Sequence, residues 1–234
     1  MNDKEQHSPI QEIDSQMRPR EHLLHIVKAA LSTAPFGGGI ASLMTDYIPS
    51  MKEKRLKDFV QGIACDLQAL ENHIDEKTIR TDEFAFVLER CFRGAAENYQ
   101  MEKLQAFRGI LINSAVGSKV SSDEREYYLN LVERLSALHL RILAFLSDPK
   151  TYLFAYEIPE GQLRGGLSSF MPVALPGVGI ESIKGAFGDL YQLGFLNTDK
   201  SIFHTMTASQ GLDLLGDRLT AAGHRFVAFC KSPH

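Results

Sequence analysis

MKEKRLKDFVQGIACDLQALENHI, residues 51–74, sets Leu56, Phe59, Val60, Ile63, Leu67, Leu70 and Ile74 at steps of three or four. That spacing puts apolar side chains on one face of an α-helix, and Lys52, Lys54, Arg55, Lys57 and Glu71 fall mostly on other faces. A stripe of this length is stable only beneath partner helices, so the chain is expected to be mainly α, with an N-terminal helical bundle.

Candidate partners follow downstream. Residues 81–98 turn Phe84, Val87, Leu88, Cys91, Phe92 and Ala95 to one side, and residues 99–116 do the same with Leu104, Phe107, Leu111 and Ala115. Ser121-Ser122-Asp123-Glu124 fits a capping box, in which a serine oxygen and a glutamate carboxylate satisfy the free amides of a helix start. One long helix is expected from there to Ser147, ended by Asp148-Pro149 because the residue before proline avoids helical geometry.

Upstream, Leu23, Leu24, Val27 and Leu31 predict a helix stopped by Pro35, and Gly37, Gly38 and Gly39 read as a hinge before an apolar stretch ending at Pro49. Residues 1–20 mix charges with prolines and read as a disordered arm. Residues 29–45 carry no charge, but a proline and three glycines interrupt them, which argues against a membrane span.

Beyond Pro149 the pattern changes. Residues 150–180 are punctuated by glycine and proline, including the second hinge pair Gly177 and Gly179, and residues 165–180 are again uncharged. The organisation expected is therefore an arm (1–20), a bundle (21–149), a Gly/Pro linker (150–180) and a small C-terminal domain (181–234). In that last part a helix over Glu181–Leu193 closes at Gly194, residues 201–207 and 212–219 carry strand patterns, and a helix from Thr220 to Cys230 opens on a threonine cap. Helix, two strands, helix predicts a winged-helix-like α+β tail.

Chemistry is harder to find. The eight histidines form no HExxH or Cys/His grouping, no serine sits in GxSxG, and the glycine turns match no nucleotide loop. The expectation is a non-enzymatic protein with no cofactor and no metal, with the reservation that a triad can assemble in space without a signature in sequence. A formal net charge of -4 gives no overall field for nucleic acid. The residues that could touch phosphates or an anionic surface are Lys52, Lys54, Arg55 and Lys57, diluted by Glu53 and Asp58, and in the tail Lys184, Arg218 and Arg225. Three well-separated cysteines and a polar start with no apolar stretch of leader length favour the cytoplasm.

The order KEKRLKDFV, QAFRGILINSAV, YYLNLVERLSALHLRIL, LYQLGFLN and LTAAGHRFVAFC resembles the Abi-alpha-like group of bacterial helical proteins, which is associated with phage resistance. Leu219–Phe226 is similar to the LTxxGxxF ending of many winged-helix tails. The resemblance implies antiviral defence of the abortive-infection kind and brings no catalytic residues. The reading preferred from sequence is a defence or stress-response protein that binds a protein partner, with a second copy of itself as one candidate. A DNA-binding regulator using the tail, and a membrane-acting effector using segments 29–45 and 165–180, are the less favoured alternatives.

Overall fold

The computed structural model describes residues 47–70, 73–117, 119–163, 165–204 and 218–232. The hairpin expected before Tyr47, with Gly37, Gly38 and Gly39, lies outside them. Ten α-helices account for most of the described chain, so the mainly α expectation holds. Contacts divide the chain into two units: the described part of the first takes in residues 47–99 and 107–129, and the second residues 100–106 and 130–231.

In the first unit, α1 (Tyr47–Ala69), α2 (Glu76–Ile79) and α3 (Asp82–Glu97) are joined by the later part of α4 (Met101–Ala115) and the start of α5 (Ser122–Arg134). Leu56, Phe59, Ile63 and Leu67 of α1 are buried, as the stripe requires, with Val60 half-buried. The helix starts earlier than expected. Pro49 sits in its first turn, where an absent amide costs no hydrogen bond, so it does not act as a stop. It also ends earlier, at Ala69, leaving Leu70 and Ile74 half-buried beyond it.

Thr81 caps α3 by accepting from the Phe84 amide at 3.2 Å, and Asp82 and Glu83 complement the positive end of the helix dipole. The inward face is the expected one, and Phe92 meets Phe59 of α1 edge-on with ring centroids 5.6 Å apart. Gly94 adds something no periodicity shows: a Cβ there would lie 2.3 Å from Cζ of the fully buried Phe107 of α4. Asp66, buried on α1, takes the guanidinium of Arg108 of α4 through two hydrogen bonds. Arg125 of α5 pairs with Glu83 at 2.7 Å.

The long helix expected over 122–147 is two helices. Ser121 caps α5 by accepting from the Glu124 amide at 3.3 Å, while the Glu124 carboxylate accepts from the Tyr128 hydroxyl at 2.7 Å. The helix stops at Arg134 and α6 (Ala137–Ser147) starts afresh from Ser136. In the second unit two bonds, one across 30 positions and one local, accompany the break. The buried Lys103 ammonium donates to the Glu133 carbonyl at 3.0 Å, and the Ser136 amide donates to Nδ1 of His139 at 3.2 Å, so histidine fills the role glutamate has in the usual capping box.

Residues 150–180 do not form the expected linker. Asp148 ends α6 and at once caps α7 (Pro149–Ala155), accepting from the Thr151 amide at 3.1 Å, with Pro149 in the first turn, where proline fits best. Leu167–Ala174 form α8, and Tyr152, Leu153, Leu167, Phe170, Met171, Ala174 and Leu175 are all buried. The glycines mark helix ends: Gly166 precedes α8, Gly177 turns with φ +81°, and Gly179 precedes α9 (Ile180–Gln192).

α9 ends as its sequence predicts. Gly194 has φ +73°, the Phe195 amide reaches back to the Leu190 carbonyl at 3.0 Å, and the Gly194 amide to that of Tyr191 at 2.9 Å. The first expected strand is absent where it can be seen, since Lys200–His204 form a 3-10 turn. Asp199 explains this: its carboxylate takes the Ser201 amide at 2.7 Å, a local bond that outcompetes a ladder and buries Ile202 and Phe203. The rest of that strand and most of the second lie outside the described residues. Among the described residues, β pairing is confined to an antiparallel bridge between Leu196 and Leu219, flanked by bonds from the Asn197 amide to the Arg218 carbonyl and from the Thr220 amide to the Phe195 carbonyl.

The LTAAGHRF segment starts α10 (Ala221–Cys230), and each of its marked residues has a packing role. Thr220 Oγ1 accepts from the Gly223 amide at 3.1 Å and donates to the Gly194 carbonyl at 2.6 Å. Gly223 lets the helix approach: a Cβ there would stand 2.5 Å from the Phe195 carbonyl oxygen. Phe226 stacks on Phe195 with centroids 4.9 Å apart.

Candidate functional site

The cations singled out in the sequence are distributed between the two units. Lys54 and Lys57 are exposed on α1, and Lys52 and Arg55 half-buried. Lys57 is paired with Glu53 at 2.8 Å, which holds the Glu53 carboxyl below its ordinary value, and Arg55 donates to the Ala96 carbonyl at 3.3 Å. In the second unit Lys184 pairs with Glu181 at 2.9 Å, Arg218 donates to the Thr198 hydroxyl at 3.2 Å, and Arg225 is exposed on α10. A phosphate would therefore have to displace an existing acceptor from Lys57, Lys184 and Arg218. Gly177 and Gly179 are turn and helix-entry positions with open space at their Cβ.

A polar cluster in the second unit surrounds Arg141 on α6. Tyr152 of α7 and Tyr156 just beyond it stack with centroids 4.4 Å apart. Arg141 Nε donates to the Tyr152 hydroxyl at 3.4 Å and lies 3.8 Å from Oε1 of Glu102 of α4, while its guanidinium stands 5.6 Å from the centre of the Tyr156 ring. The Tyr156 hydroxyl donates to Glu102 at 3.3 Å. Burial, followed by the negative charge of Glu102, pushes the Tyr156 phenol up to about 12, and burial raises that of Tyr152. Both phenols thus remain hydrogen-bond donors at neutral pH.

Around this ordered cluster the surface is apolar in places. Tyr156 is 41% exposed, Met101 62% and Phe154 87%. Phe154 lies two residues from both tyrosines, so it projects from another side of α7. Arginine and tyrosine held in fixed rotamers, with large apolar side chains in water, are the composition of a binding surface, since such side chains lose little entropy on contact.

A second cluster escaped the sequence reading. Ser136 Oγ lies 2.7 Å from Nδ1 of His139, and Nε2 of the same ring lies 3.3 Å from Oδ2 of Asp189 on α9. The only sequence signal is the Ser-x-x-His spacing, hidden inside an apparently continuous helix; Asp189 is 50 positions from the histidine. Among the described residues no group of three His, Cys, Asp or Glu side chains is placed to hold a metal ion. Among them, too, no helix is long and apolar enough to cross a membrane. Residues 165–180 turn most of their large apolar side chains into the second unit.

No protein-family model, curated protein or solved structure matches the chain.

Proposed function

We propose that the protein acts by binding another protein through the surface around α7, and that it does so in the cytoplasm as part of a bacterial defence or stress response. The observation that carries this reading is Phe154, 87% exposed beside the ordered Arg141–Tyr152–Tyr156–Glu102 cluster. Burying that ring alone is worth about 2 kcal/mol. A second copy of the chain is the simplest partner. All three cysteines are free thiols, which supports a reducing compartment. The defence setting rests on the order of segments resembling Abi-alpha-like proteins.

We read residues 181–234 as winged-helix-like, supported by α9, the Leu196–Leu219 bridge and α10 in that order. Its cations Lys184 and Arg218 already have partners, which favours protein over DNA as the surface it meets. Binding to duplex DNA that weakens steeply with salt would reverse that preference. Sedimentation with anionic vesicles would likewise revive a membrane role.

A photo-crosslinking amino acid at position 154 or 156, introduced in the bacterial cell, tests the proposal. Both positions should yield the same discrete adduct, and exposed position 126 on α5 should yield none. Equal yields at all three positions, or none anywhere, refute it. Plaque counts across a phage panel test the defence setting separately.

A further inference from the structure

We propose that Ser136, His139 and Asp189 form a nucleophile–base–carboxylate relay that accepts small activated carboxylic esters. The two donors facing Nδ1 of His139, the Ser136 hydroxyl at 2.7 Å and the Ser136 amide at 3.2 Å, require that nitrogen to carry the lone pair. The ring hydrogen then sits on Nε2, where it is donated to Asp189 at 3.3 Å. This is the tautomer a general base needs: an acceptor toward the serine and a donor toward a carboxylate that stabilises the imidazolium. The two ring nitrogens exchange the roles they have in the familiar serine triads, and the charge relations are unchanged.

Each position follows from the fold. Ser136 is exposed and ends at the start of α6, so its oxygen is open to solvent, while the amides of Ala137 and Leu138 in the first turn have no acceptor within the helix and lie at its positive end. The histidine side chain is 14% exposed and hence oriented, and the Asp189 side chain is 70% exposed. Because Ser136 is exposed, reaction there depends on a leaving group that departs readily, which an activated ester provides.

In the reaction, Ser136 Oγ adds to the ester carbonyl carbon as its proton passes to Nδ1, and the first-turn amides receive the developing oxyanion. Collapse breaks the bond to the alcohol oxygen, which takes the proton from Nδ1 and leaves an acyl-serine. Water then adds to the acyl carbon with its proton going to Nδ1, and the serine oxygen leaves carrying that proton, releasing the carboxylic acid. No oxidant or cofactor is consumed.

The alternative is that Ser136 and His139 serve only as a helix cap, and two substitutions separate the readings. Ser136→Asp keeps a good capping oxygen and removes the nucleophile; His139→Gln keeps a capping-box residue and removes the base. The probes are p-nitrophenyl acetate and a fluorophosphonate, with the labelled peptide found by mass spectrometry. The wild-type protein should be labelled at Ser136 and should hydrolyse the ester with an ascending limb in its pH–rate profile. Both variants should melt within a few degrees of wild type yet lose hydrolysis by at least about a hundredfold, the lower end for removing a general base, and Asp189→Asn should fall less. Absence of labelling, labelling at another residue, or an unchanged rate in His139→Gln overturns the proposal and leaves a cap only.

Discussion

Replacing Gly94 by alanine sets two known effects against each other. Alanine in a helix interior gains about 1 kcal/mol over glycine through backbone entropy, so propensity alone predicts stabilisation. The new Cβ, however, would lie 2.3, 2.4 and 2.7 Å from three atoms of the Phe107 ring. Carbon atoms sit comfortably about 3.5–4.0 Å apart, so the ring or α3 must retreat by about 1 Å or more. Phe107 is 0% exposed and has no solvent to retreat into. Overpacking of this kind costs about 1–3 kcal/mol, and more when rigid groups collide. We therefore expect a net loss of about 2 kcal/mol, near the upper end of that cost less the propensity gain. In urea, at a slope of about 2 kcal/mol per molar, the midpoint should fall by about 1 M with the slope unchanged. Phe107→Leu in the same chain should recover part of the loss, giving a coupling energy of about 1 kcal/mol in a double-mutant cycle. A rise in midpoint for Gly94→Ala, or strict additivity with Phe107→Leu, would refute the reasoning.

Gly223→Ala should lower stability by about 2–3 kcal/mol, since the atom opposed to it is a backbone oxygen, and thermal unfolding followed by circular dichroism checks this. Glu102→Gln should lower the Tyr156 phenol from about 12 yet leave it above its ordinary 10, because burial contributes more than the carboxylate; ultraviolet titration of phenolate measures it. The Asp148 carboxyl is held below 3.8, first by the Thr151 hydroxyl and then by its amide. Its folded value is depressed, so the stability it brings to the start of α7 is fully present above the ordinary 3.8 of the unfolded chain and is lost as pH falls through the lower, folded value. Thr151→Val should move the Asp148 titration up toward 3.8 in carboxyl carbon-13 spectra.

What the sequence made legible was local. The Leu56–Leu67 stripe, the Thr81 and Thr220 caps and the left-handed Gly194 each depend on residues within a turn or two, and each stands where its spacing put it. The misreadings have local causes too. Glycine and proline in 150–180 mark where short helices begin and end, and the same residues in water would mark a linker. The strand pattern at Ser201 yields to one carboxylate at Asp199, and the break at Ser136 is made by a histidine acting where glutamate is usual. The candidate site was not legible for a different reason. Glu102 and Arg141 come from two helices and Tyr156 from just beyond a third, and Asp189 reaches His139 across 50 positions, so no short window of sequence contains either cluster.

Lys103 gives the second unit a built-in reporter. The residue is buried, its amine is tied to the Glu133 carbonyl, and burial lowers the amine's basicity. A reagent that acylates amines can reach it only when the start of α4 parts from the last turn of α5. Its modification rate, set against that of exposed lysines such as Lys54 on the same molecule, therefore times the breathing of that seam directly. An agent that tightened the seam would lengthen this interval even if it altered nothing else that could be seen.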